Sequence, residues 1–123
     1  ENMRLGGLPK IVVYPLNDYD LRAIATLTGA FPSVNLGAAW WFNDTVNGIK
    51  RQMETAAEYS ALGTQYGMLT DSRSFSSYVR FDFYRRILSS FIGEKAEKGE
   101  YDENAAIALA RKIAYENIKA ALL

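Results

Sequence analysis

Asp71, Ser72 and Arg73 follow a short apolar run, Tyr66-Gly67-Met68-Leu69, and precede a long amphipathic stretch. A carboxylate there can ligate a divalent cation or accept a proton, and a guanidinium can clamp a carboxylate through two parallel hydrogen bonds. Two residues apart in extended chain, Asp71 and Arg73 project to the same side. Two readings are open. The pair is either one anionic metal or proton site beside one fixed cation, or a structural salt bridge and helix cap, since Asp and Ser before a helix are ordinary capping residues. The chain has no His and no Cys, so the commonest transition-metal ligand and the usual general base near neutrality are both missing. Such work falls to carboxylates, to tyrosines or to groups outside this chain.

Two further stretches could share a face with Asp71. Trp40-Trp41-Phe42-Asn43-Asp44 and Tyr14-Pro15-Leu16-Asn17 each end an apolar run in polar groups, and in parallel sheets and barrels the carboxyl ends of the strands carry the reacting groups. On an extended strand Trp40 and Trp41 alternate, so one enters the mouth while the other packs beneath a helix. Tryptophan pairs also serve simply as core. Asn43-Asp44 reads as a helix cap. Tyr78, Arg80, Arg85 and Arg86 form a local basic cluster, either the solvated face of a helix or added attraction for an anionic substrate.

The elements that must position these groups follow from periodicity. Residues 11–14, Ile-Val-Val-Tyr, are continuously apolar, as strands covered on both faces are. Asn17 or Asp18 can cap a helix to about Thr28, with Leu21, Ile24, Ala25 and Thr28 inward and Gly29 at its end. A second strand is expected over 34–42. A helix over 45–59 places Ile49, Met53 and Ala56 or Ala57 inward. A third strand is expected over 66–69, then a helix over 78–98 with Phe83, Ile87, Phe91 and Ile92 on one face, open to interruption at Gly93 and closed at Gly99. Asp102 caps a last helix over 103–122 that buries Ile107, Ala110, Ile113 or Ala114, Ile118 and Leu122. Strands alternating with helices predict a parallel sheet. The fold class is therefore α/β, with a leading arm over 1–10, three β-α units over 11–99 and a C-terminal helix over 100–123. Such units build (β/α)8 barrels of about 250 residues. A three-strand piece leaves open edges that invite association with another chain.

At 123 residues with 49% apolar content, the chain is the size of one core-bearing domain. Fourteen basic and fourteen acidic residues balance, so no global field draws nucleic acid or an anionic membrane. The absence of cysteine excludes a disulfide scaffold and a thiolate metal site, and fits a cytoplasmic location. Neither a membrane-spanning run nor a signal peptide is expected. A first residue of Glu rather than Met is what cleavage or the design of the expressed chain would leave.

The strings Leu8-Pro9-Lys10, Ala39-Trp40-Trp41-Phe42-Asn43-Asp44, Gly67-Met68-Leu69-Thr70-Asp71-Ser72-Arg73-Ser74-Phe75 and Phe83-Tyr84-Arg85-Arg86-Ile87-Leu88 together resemble the C-terminal part of the uronate (glucuronate) isomerases, metal-dependent barrels of the amidohydrolase type. The resemblance implies that the three strands are the sixth, seventh and eighth of a partial (β/α)8 barrel. It implies interconversion of aldose and ketose hexuronates, D-glucuronate with D-fructuronate and D-galacturonate with D-tagaturonate. Asp71 would ligate a divalent metal, usually zinc, and shuttle the proton. Arg73 would bind substrate, and Trp41 would line the pocket. The family's other metal ligands, a His-x-His pair ending the first strand, have no counterpart here, and Phe81 and Ser76 stand where the family tends to have His and Leu. The isolated chain is therefore expected to be inactive and metal-free; the alternative reading is a non-catalytic binding or assembly module derived from such a barrel, with Asp71 and Arg73 as a structural pair. Its expected partners are a hexuronate and a second copy or another chain at the open edges, with neither nucleic acid nor membrane.

Overall fold

A computed structural model describes residues 9–69 and 71–123. Most of the expected leading arm, and Thr70 at the end of the apolar run, lie outside the described residues. The first strand, β1 (Ile11–Val13), pairs in parallel with β2 (Val34–Leu36), Ile11 opposite Val34 and Val13 opposite Leu36. Between them runs helix α1 (Leu21–Ala30), which buries Leu21, Ala25 and Thr28 as its apolar spacing requires. It starts later than expected because Asn17 is used one turn earlier. The Asn17 Oδ1 atom accepts from the Tyr19 backbone N–H at 2.9 Å, closing a side-chain turn ahead of the helix.

Helix α2 (Val46–Tyr59) turns Ile49, Gln52, Met53 and Ala56 into the core, and its N-terminus is capped by Thr45, whose Oγ1 accepts from the Gly48 N–H at 3.0 Å. Helix α3 (Val79–Glu97) runs through Gly93 without a break. Gly99, at φ +74°, ends it with a paired closure in which the Glu100 N–H donates to the Lys95 carbonyl and the Gly99 N–H to the Ala96 carbonyl, both at 2.9 Å. Asp102 caps α4 (Glu103–Arg111) by accepting from the Asn104 and Ala105 N–H groups. A single π turn, Lys112–Glu116, joins α4 to α5 (Asn117–Leu122).

The core is continuous from Leu36, Ala38 and Ala39 at the end of β2, through Ile49 and Met53, to Leu88, Phe91 and Ile113. Two expectations about helix faces are corrected. Phe83 is 40% exposed, and the buried set of α3 is Tyr84, Ile87, Leu88, Phe91 and Ile92. That set keeps the i, i+3, i+4, i+7 spacing one residue out of phase with Phe83. In the last helical stretch Ile107 and Leu122 are exposed, while Ala106 and Ile113 are buried. The π turn inserts a residue, so no single 3.6-residue stripe runs from 107 to 122.

The sheet of the described residues has two strands, not three. Residues 66–69 lie in irregular chain, and the reason is local. Gly67 takes φ +73°, which breaks the extended run, and a Cβ on it would stand 2.7 Å from the Ile113 carbonyl oxygen. This segment is pressed against the π turn rather than laddered onto β2. Side chains hold it there. The Asn117 amide donates to the Gly63 and Gln65 carbonyls at 2.7 and 2.8 Å, and the buried Gln52 amide donates to the Gln65 side chain at 3.1 Å and the Gly37 carbonyl at 2.8 Å. The second strand likewise stops early. After the last rung, from the Gly37 N–H to the Val13 carbonyl, the Gly37 carbonyl is engaged by Gln52, and residues 41–43 wind into one 3-10 turn.

Candidate functional site

Two rims of polar and aromatic groups follow β2 and the 66–69 segment. The first is residues 40–45. Trp40 is extended and half-buried, while Trp41 sits at φ +53° and is 62% exposed, its ring edge-on to Phe42 at 6.3 Å. A left-handed backbone at a bulky residue costs on the order of 1–2 kcal/mol, so it persists only where neighbours impose it. The neighbours are visible. The Thr45 N–H donates to the Asn43 carbonyl at 2.8 Å, and that same carbonyl lies so close to Gly48 that a Cβ there would stand 2.1 Å from it. Asp44 is not a helix cap, since Thr45 does that work. Instead it pairs with Arg80 at the start of α3, whose guanidinium also lies over the Trp40 ring, 4.7 Å from its centroid.

The second rim is residues 71–77. Asp71 adopts φ +44°, a conformation that Asp reaches more easily than most residues, and its side chain is exposed. It borders a cavity of about 480 Å³ with Tyr66, Met68, Phe81, Tyr84 and Arg85. Burial pushes the Tyr84 phenol well above its ordinary range, so this side chain keeps its proton even in mild alkali. The turn closes through serines. The Ser72 Oγ accepts from the Ser74 N–H at 3.2 Å, and the Ser74 and Ser76 hydroxyls meet at 2.7 Å. Among the described residues neither Asp71 nor Arg73 makes an ion pair, and the Asp71 carboxylate caps no helix. The structural reading of the Asp71 and Arg73 pair therefore lacks its contact.

The cavity beside Asp71 and the shallower one, about 300 Å³, bounded by Trp40, Trp41, Phe42, Asp44 and Arg80 share no described lining residue. The fold thus brings Asp71 together with Arg85, not with Trp41. The basic cluster divides: Arg85 faces the Asp71 cavity, Arg86 pairs with Asp82 on the solvated face at 2.8 Å, and Arg80 is bound to Asp44. Sequence reasoning missed the Asp44 and Arg80 pair and the buried Gln52. The only signal for the first was Thr45, a competent cap directly after Asp44, which leaves the acid for another partner.

No group of three or more carboxylates among the described residues could hold a metal ion, and the chain has neither His nor Cys. Asp71 can supply one donor, and one carboxylate is not a metal site. No helix of the described residues is long and apolar enough to cross a membrane.

The sequence profile of the glucuronate isomerases matches residues 2–122. The uronate isomerase of Clostridium acetobutylicum is 50% identical over 77% of this chain, which covers 22% of that protein. The uronate isomerase of Geobacillus thermodenitrificans is 44% identical over 94% of this chain, covering 27% of that protein. Among solved structures, the uronate isomerase of Thermotoga maritima superposes with a TM-score of 0.88 at 38% identity, and the glucuronate isomerase of Caulobacter crescentus with 0.87 at 31% identity. These alignments cover 93% and 97% of this chain and 26% of each neighbour. The chain spans about a quarter of the length of the relatives it matches, and it belongs to the glucuronate isomerase family.

Proposed function

We propose that this chain is the C-terminal portion of a cytoplasmic uronate isomerase, a part of a (β/α)8 barrel, which completes its site only with the remainder of the barrel. The observation that carries the reading is Asp71. It is held in a left-handed backbone at the mouth of a cavity, with no structural partner among the described residues, in a chain 38–50% identical to named uronate isomerases from three organisms. Aldose–ketose isomerisation removes a proton from the carbon beside the carbonyl of the open-chain sugar and returns it to the former carbonyl carbon, while the hydroxyl proton passes from the second oxygen to the first. A carboxylate standing free at a rim suits that transfer. Arg73 would clamp the substrate carboxylate, with Arg85 adding positive charge from the cavity wall. Trp41 would border the sugar from the other rim.

A metal, if the whole enzyme holds one, would take Asp71 as one ligand and draw the others from outside this stretch. The open edges of the short sheet would be covered by the rest of the barrel or by a second chain.

Two assays test the reading. The 123-residue chain alone should give no glucuronate turnover above a buffer-and-zinc blank, whereas the longer chain in which the rest of the barrel precedes it should convert glucuronate to fructuronate. Turnover by the short chain, or none by a folded longer chain, would contradict the proposal.

A further inference from the structure

Arg80 sits where two constraints meet. Its guanidinium is paired with Asp44, whose side chain is only 15% exposed, and the same planar group covers the face of Trp40 at 4.7 Å. The other Asp44 oxygen, Oδ1, is buried without a hydrogen-bond partner among the described residues, so the Arg80 contact at Oδ2 is the one polar partner this carboxylate has there. The pair also joins two parts of the chain that no backbone hydrogen bond connects among the described residues: the turn after β2, and the first turn of α3, which follows the Asp71 loop.

We propose that Arg80 is a positioning residue: locked by Asp44, it clamps the Trp40 indole by its face and so sets the Trp40–Phe42 rim against the helix that follows Asp71. A guanidinium suits this task because its fork can engage a carboxylate while its plane lies on a ring. An ammonium is a compact point charge and cannot do both with the same geometry. Trp41, next in sequence, then inherits its left-handed turn from a fixed neighbour. The inference rests on the proposed function only for what the rim would face, since the clamp itself is complete within this chain.

The chain has two tryptophans, so Trp41→Phe leaves Trp40 as the sole indole reporter. In that background Arg80→Met should shift Trp40 emission to the red and raise its acrylamide quenching, because the covering group is lost. Asp44→Asn should do the same to a smaller degree, and Arg80→Lys should fall between Arg80→Met and the parent. A purely architectural salt bridge would lower the melting temperature without moving the indole's quenching. Unchanged emission and quenching in a folded Arg80→Met chain would overturn the proposal. Should far-UV circular dichroism show that variant unfolded, Arg80→Lys carries the test, and quenching identical to the parent overturns it. Absence of uronate turnover in the longer chain would remove the proposed function and leave this result standing.

Discussion

The two rims are built to different degrees of completion. At residues 40–45 the contacts close within the chain: Thr45 caps α2, Asn43 closes a turn, Asp44 holds Arg80 through one of its two oxygens, and Arg80 covers Trp40. At residues 71–77 the serines close the turn, yet Asp71 and Arg73 stand exposed without ion-pair partners among the described residues. A charged group with a partner contributes to the fold. Asp71 has no ion-pair partner among the described residues, which leaves its carboxylate available for the role proposed above. The difference is that Asp44 is spent on a contact within the chain, whereas Asp71 is exposed at a cavity with no ion pair among the described residues.

The largest expected effect would break the platform beneath the second rim. Gly67→Val must place a branched side chain at φ +73° and against the Ile113 carbonyl, and should destabilise the chain by about 2–4 kcal/mol. Urea unfolding measures it, and a change below about 0.5 kcal/mol, the level expected of neutral surface substitutions, would mean that the close approach to the π turn is not maintained.

Next comes the contrast itself. Asp44→Asn removes one half of a partly buried ion pair and should cost about 1–3 kcal/mol, between the values for exposed and fully buried pairs. Asp71→Asn should cost less than about 0.5 kcal/mol, as surface changes do. Equal losses would erase the distinction between the rims.

A smaller effect should appear in alkali. Tyr84 is buried in the wall of the Asp71 cavity and its phenol titrates above the ordinary value of 10.0. Below that value both folded and unfolded chains keep the proton, so the contribution is intact. As pH rises past 10.0 the unfolded chain ionises first and stability falls. Tyr84→Phe should flatten this alkaline slope in melting curves recorded from pH 8 to 11.

The least effect concerns the ion pair between α2 and α3. The hydrogen bond from Lys50, then that from Ser90, holds the Glu94 carboxyl below its ordinary value of 4.5. Its small contribution is present above that value and disappears as pH falls below it. A slight melting difference between Glu94→Gln and the parent should therefore be visible at pH 7 and vanish towards pH 3.

Much of the architecture was legible in the residues. Thr45, Asp102 and Gly99 mark helix ends through their own chemistry, and α2 follows its apolar stripe. What failed depended on distant partners. The 66–69 run reads as a strand because it is apolar and short, but strand formation needs a neighbour to ladder with, and here the π turn and Asn117 hold the segment instead. Phe83 and Ile107 look like core by residue type, and a one-residue offset in helical phase puts both outside. Asp44 read as a cap because the cap signal is local while Arg80 is remote in sequence. Asp71 and Arg73 could be named as candidates, but only the fold shows that they do not pair with each other.

The central claim is that Asp71 serves function rather than stability. It is tested most directly by measuring kcat and melting temperature together for Asp71→Asn in the longer chain. The account predicts a fall in kcat of about 10²- to 10⁴-fold, the scale of losing a general base, with the melting temperature nearly unchanged. Near-normal kcat with a large drop in melting temperature would show that the carboxylate is structural, contradicting the claim.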